Sequence, residues 1–128
     1  MAHVKVSIGT TAYATKVVAS RHELVADEPV AQGGQDAGPA PYELLLASLG
    51  ACTAITLRMY ADRKQWNLAA VQVDLHYGKE GDTARIDRLL KIEGDLTAEQ
   101  RARLADIAER TPVTLTLKSG LAIQTRLA

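Results

Sequence analysis

The sequence predicts an α+β protein with a mostly antiparallel sheet. Three observations carry this. Segments in which apolar and polar residues alternate are grouped at 4–26 and 70–93, and are not interleaved with helices. Between the groups, no charge occurs from Leu44 to Leu57, a length that suits a helix better than a strand. After the second group, Thr97-Ala-Glu-Gln100 forms a capping box, a hydroxyl at the cap with an amide three residues on to bond back to it.

The elements follow in order. Val4, Val6 and Ile8 alternate with Lys5 and Ser7 as a half-buried strand does, Gly9-Thr-Thr can turn the chain, and Tyr13 to Val18 can return as the second strand of a hairpin. Arg21 to Ala26 reads as a third strand. Asp27 to Gly38 (DEPVAQGGQDAG) is a long loop rich in turn residues, a length usually kept for function or mobility. A helix starts near Pro41, whose missing N–H is no loss in a first turn, with Glu43 placed to favour the helix dipole. Polarity rises after Arg58, so the helix surfaces near Trp66. Ala70 to Tyr77 and Arg85 to Glu93 are two further strands around a Gly78–Asp82 turn. In the second of these, Ile86, Leu90 and Ile92 share a face, with an irregularity expected around Arg88-Leu89. The capping box opens a helix with Leu104, Ile107 and Ala108 inward. Thr111-Pro112 suits another helix start by its capping hydroxyl and its proline. The alternation in VTLTL also fits a strand, and the short helix is the favoured reading. Leu121, Ile123, Thr125 and Leu127 alternate as a last strand.

The chain has 128 residues, enough for one domain with a real core, and is read as a single domain over 1–128. Its central helix is apolar on every side and must be buried on every side. One small sheet covers one side only. A second copy of the chain is the simplest further cover, giving a homodimer with central helices packed together; the C-terminal helices are the alternative. The small residues Ala47, Ser48, Gly50 and Ala51 would let another backbone come close.

Composition narrows the function. With 15 basic and 15 acidic residues mixed along the chain, formal net charge is zero, which argues against a nucleic-acid or anionic-membrane surface. One cysteine excludes an internal disulfide framework and a cysteine-rich zinc site. His3, His22 and His76 have no metal-ligand spacing, and Gly33-Gly34 with Gly38 lacks a phosphate-loop pattern, so no metal or cofactor is expected. The stretch Leu44–Leu57 is too short to span a bilayer, and the N-terminus has no signal-peptide pattern. A soluble cytoplasmic protein is expected, in a reducing compartment where a lone thiol persists.

That thiol is Cys52. Free cysteines usually fill space as small hydrophobes. Reactivity needs a thiolate held by a positive charge or a helix N-terminus. Cys52 lies well inside its helix, beyond the reach of the N-terminal dipole. Its face holds Ser48, Leu49, Ile55 and Thr56, none of them a cation. A cation would have to come from Arg21 or from the C-terminal half.

The segment Gly38-Pro-Ala-Pro-Tyr-Glu-Leu-Leu-Leu-Ala-Ser-Leu-Gly-Ala-Cys52-Thr, with Leu57-Arg-Met-Tyr-Ala61, resembles the central helix of the OsmC/Ohr family, the osmotically inducible and organic hydroperoxide resistance proteins. Arg21-His-Glu-Leu-Val-Ala-Asp-Glu-Pro29 and Gly33-Gly34 resemble the family's preceding loop. Asp95-Leu-Thr-Ala-Glu-Gln100 and Arg110-Thr-Pro-Val113 resemble its later helices. The resemblance implies an OsmC-like fold, with antiparallel sheets wrapped around a long buried central helix in an intertwined homodimer. It also implies a thiol peroxidase in which Cys52 attacks a hydroperoxide, Arg21 holds the thiolate, and a glutamate near the helix start holds the arginine. The glutamate usually follows the proline directly; that place holds Tyr42 here, and Glu43 lies one residue on, about 100° round the helix.

The family pattern usually has a second cysteine before Pro-Val, which condenses with the oxidised first one. Here Thr111 stands there, and a hydroxyl forms no disulfide. Three readings follow: a one-cysteine peroxidase needing an external thiol reductant; a non-catalytic dimer that binds a small apolar or electrophilic ligand; or a dimeric scaffold with Cys52 as core.

Overall fold

Three short strands, β1 (Val4–Ser7), β2 (Thr15–Ala19) and β3 (His22–Ala26), form an antiparallel sheet in the order β1-β2-β3, with Val6 opposite Val17 and Val17 opposite Leu24. The computed structural model describes residues 1–128. They divide into two compact units, residues 1–45 and 46–128, with the division inside the central helix α1 (Pro41–Lys64).

In the first unit, Val17, Ala26 and Asp27 are buried, whereas β1 is exposed along its whole length. The alternation of Val4 and Val6 makes a strand, but neither face of it is covered within this chain. The long loop is built on Asp27. Its Oδ1 accepts the backbone N–H groups of Tyr13 and Glu28, and its Oδ2 those of Gln35 and Ala37, at 2.7–3.2 Å. Asp27 N–H in turn donates to the Pro39 carbonyl at 3.2 Å. The loop is therefore tied at both ends. A side chain at Gly38 would collide with the Val25 carbonyl, so this close approach requires glycine.

The second unit holds most of α1, a long hairpin of β4 (Asn67–Glu80) and β5 (Thr83–Asp95), then α2 (Ala98–Ala108) and α3 (Pro112–Ser119). Its core is Leu57 and Ala61 from α1, Leu68 from β4, and Leu104 and Ala108 from α2. Gly50 of α1 leaves room for Leu75 of β4, whose Cδ1 would stand 2.9 Å from an added Cβ. The capping box forms as expected: Thr97 Oγ1 accepts from Gln100 N–H, and Gln100 Oε1 accepts from Thr97 N–H. The helical reading of Thr111-Pro112 holds. The cap differs: the Thr111 hydroxyl caps no backbone group and pairs at 2.5 Å with the Thr114 hydroxyl.

Three expectations are corrected. The irregularity at Arg88-Leu89 is absent: Arg88 faces Leu75 and Leu89 faces Asp74 in unbroken register, and the only shift lies between Leu68 and Ala70. Unbroken alternation turns Arg88 inward beside Leu90 and leaves Leu89 70% exposed. The last strand does not form. Residues 120–128 have no regular structure: no strand pairs with them, and an extended segment without a paired neighbour leaves its N–H and C=O groups to solvent. Leu121, Ile123 and Leu127 are exposed accordingly. Within the single chain, α1 is buried along one side. Leu49, Thr53, Leu57 and Ala61, spaced four apart, are buried; Ala47, Ala51, Ile55 and Met59 are exposed. Finally, α1 outruns the stretch judged too short for a bilayer. It has 24 residues and is largely apolar, so by length and composition alone it could cross a membrane, yet it carries one face of a packed core.

Candidate active site around Cys52

Cys52 is a free, half-buried thiol on α1. At 100° per residue it falls on the shoulder between the buried stripe through Leu49 and Thr53 and the exposed stripe through Ala51 and Ile55. It is neither sealed in the core nor fully open. No hydrogen bond or ion pair reaches its sulfur.

The other residues expected at the site stand as follows. Arg21 lies in the Ser20-Arg21 turn between β2 and β3, exposed, at the end of β3 away from the long loop. Glu43 is in the first turn of α1, where its Oε1 accepts the Ala40 N–H at 2.8 Å and so caps the helix. No ion pair joins Arg21 to Glu43. Thr111 is fully buried at the start of α3.

The structure adds a residue that sequence reasoning passed over. Arg88 enters from β5 with its side chain only 11% exposed. Its Nη1 donates to the hydroxyls of Thr53 and Thr114, and its Nη2 donates to the Ala108 carbonyl and to Glu109 Oε2, each at 2.9 Å. One guanidinium thus joins α1, the end of α2 and the start of α3. It binds Thr53, the residue after Cys52, and it binds Thr114, which holds Thr111. The available signal was the inverted pair Arg88-Leu89, a charge at an inward register position and a leucine at an outward one.

Beside this junction lies an open cavity of about 590 Å³ in the second unit, lined by Leu49, Ile86, Arg88, Glu109 and Leu117 among others. Leu49 is one helical turn before Cys52. A second cavity, of about 430 Å³, lies in the first unit against Val6, Ile8, Tyr13 and Asp27. Burial pushes the Asp27 carboxyl up, but the four backbone N–H donors, Ala37 first, outweigh it and hold its pKa below the ordinary 3.8. At the far end of α1, Arg103 donates to the Tyr60 hydroxyl at 3.1 Å, and this hydrogen bond lowers the phenol's pKa. Asp106 and Arg110 complete that exposed surface network. No cluster of residues fit to hold a metal occurs.

Residues 33–126 match the family described as OsmC-like protein. Among solved structures, the chain superposes on an OsmC-like protein from Mycoplasma pneumoniae with a TM-score of 0.79 at 16% identity, covering 92% of this chain and 87% of that one. An organic hydroperoxide resistance protein OsmC from Legionella pneumophila gives 0.65 at 19% identity, with 92% and 89% covered. An organic hydroperoxide resistance protein from Elizabethkingia anophelis gives 0.66 at 18% identity, with 91% and 87% covered. At these identities the likeness is one of fold. No curated protein matches the chain.

Proposed function

The chain belongs to the OsmC-like protein family, and from that premise we propose that it reduces organic hydroperoxides through the single thiol of Cys52, in oxidative stress defence. The observation that carries this reading is a free, half-buried cysteine on the central helix of an OsmC-like chain. In the first step the Cys52 thiolate attacks the O–O bond. A sulfur–oxygen bond forms, the O–O bond breaks, and the alkoxide leaves with a proton as an alcohol, so sulfur is oxidised to sulfenic acid and the peroxide is reduced. An external thiol then attacks that sulfur and expels water. A second thiol reduces the mixed disulfide and returns Cys52. No thiol of the same chain can replace the external one, because Thr111 has none.

Arg21 is assigned as the thiolate's cation and Glu43 as the arginine's partner. The working form is a cytoplasmic homodimer of single-domain chains, in which a second copy covers the exposed Ala47–Met59 stripe of α1. The uncovered apolar residues Ile55 and Met59, 54% and 53% exposed, support that assembly. The unpartnered sulfur favours a second reading, in which the fold binds a small ligand without turnover.

Intact-mass measurement after exposure to cumene hydroperoxide distinguishes the two. The peroxidase reading expects a rapid gain of one oxygen at Cys52, reversed by a small thiol and slowed sharply in Arg21→Ala. Oxidation no faster than in the unfolded chain rules it out.

A further inference from the structure

The larger cavity holds an arrangement that the chemistry at Cys52 does not use. Its apolar walls come from Leu49, Ile86 and Leu117, and Arg88, Glu109 and Lys118 also line it. Its volume of about 590 Å³ lies within the usual range for small-molecule sites, roughly 300–1,000 Å³. Three of Arg88's four acceptors are fixed: the hydroxyls of Thr53 and Thr114, which are buried, and the Ala108 backbone carbonyl. The fourth is different. Glu109 is 60% exposed, and its carboxylate bridges Arg88 at 2.9 Å and Lys118 at 3.5 Å. A guanidinium this buried must keep its partners, but the last partner here is a side chain free to swing into water. An incoming carboxylate could take its place between the same two cations and leave the number of hydrogen bonds unchanged.

We propose that this cavity binds a small amphipathic carboxylate, its apolar body against Leu49, Ile86 and Leu117 and its carboxylate between Arg88 and Lys118, in the position that Glu109 occupies in the free protein. Glu109 is then a built-in competitor that keeps the buried guanidinium paired when no ligand is bound. Arg88 gives the site its charge preference through a fork already locked by three fixed acceptors, so little ordering is left for the ligand to do.

Isothermal titration of the full chain with sodium decanoate below its micellar concentration tests this, with decanol as the neutral arm. A Cys52→Ser background keeps the result independent of any reaction at the thiol. Decanoate is expected to bind at one site per chain, about tenfold or more tighter than decanol, since a charge-assisted hydrogen bond is worth at least that factor. Glu109→Ala, at an exposed position, is expected to tighten decanoate about three- to tenfold and leave decanol unchanged. Lys118→Ala is expected to weaken decanoate about threefold and again leave decanol unchanged, as suits an exposed ion pair. The proposal is overturned if decanoate fails to bind, if decanol binds as well as decanoate, or if Glu109→Ala leaves decanoate unchanged or weakens it.

Discussion

Replacing Arg88 with methionine removes the junction of the second unit and keeps the side chain's approximate length. Four hydrogen bonds of 2.9 Å are lost. Three lead to buried or backbone acceptors, and charge-assisted bonds of that kind are worth about 1.5–3 kcal/mol each. The fourth, to the exposed Glu109, is worth at most about 1 kcal/mol. Two effects reduce the loss. Methionine relieves the burial of a charge, which offsets several kcal/mol. The freed hydroxyls also keep partners: Thr53 still donates to the Leu49 carbonyl at 2.7 Å, and Thr114 still pairs with Thr111. The bonds outweigh the relief, and the expected net destabilisation is about 2 kcal/mol. In a chain of 128 residues that lowers Tm by about 7 °C. Differential scanning calorimetry measures it. Arg88→Lys should recover little, because an ammonium cannot reproduce the planar fork. A double-mutant cycle with Thr114→Val should show coupling of about 1 kcal/mol. If Arg88→Met melts at or above the wild-type temperature, the hydrogen bonds only offset the cost of burying the charge, and the junction contributes nothing net to stability.

Three further outcomes are expected. Thr111→Cys, treated with hydroperoxide, should lose two hydrogens through a disulfide with Cys52 where the wild-type chain gains an oxygen; persistence of the oxygen adduct would show that position 111 is not the family's second-cysteine position. Asp27 has a lowered pKa, so the stability it contributes is present above the ordinary value of 3.8 and is lost as pH falls through the still lower folded value. Hydrogen-exchange protection of the Tyr13, Gln35 and Ala37 amides should therefore hold above the ordinary carboxyl value of 3.8 and fall as pH drops below it in the wild type, and Asp27→Asn should show low protection throughout and no such step. Ile55→Glu should give a folded monomer by light scattering with unchanged circular dichroism; a persisting dimer would place the interface elsewhere.

How much of this was legible in the sequence depended on whether a signal was local. The capping box of α2 and the Pro112 start of α3 depend on neighbours within a turn, and both helices formed as read. The strands were found by alternation, although β4 and β5 run past the expected ends because pairing continues through the polar tip to Glu80 and Thr83. The C-terminal segment alternates just as well but has no strand beside it, and alternation carries no information about partners. Cys52 was identified as the candidate nucleophile by its place in a family-like helix, whereas its position on the helix shoulder required the packing of Leu49, Thr53 and Leu57 to be known. Arg88 was missed because an arginine at an inward position reads as a break in the pattern. Only the tertiary arrangement shows Thr53, Ala108 and Thr114 converging on it.

The two sides of α1 answer to different things. Leu49, Thr53, Leu57 and Ala61 are held by the chain's own packing and form wherever the chain folds. Ala51, Ile55 and Met59 are not needed for that packing, and substitutions there can leave the fold intact. Cys52 sits on the seam between them. If company covers the open side, the exposure of the thiol becomes a function of protein concentration, and its reactivity per molecule would change on dilution with no change in the fold of the individual chain.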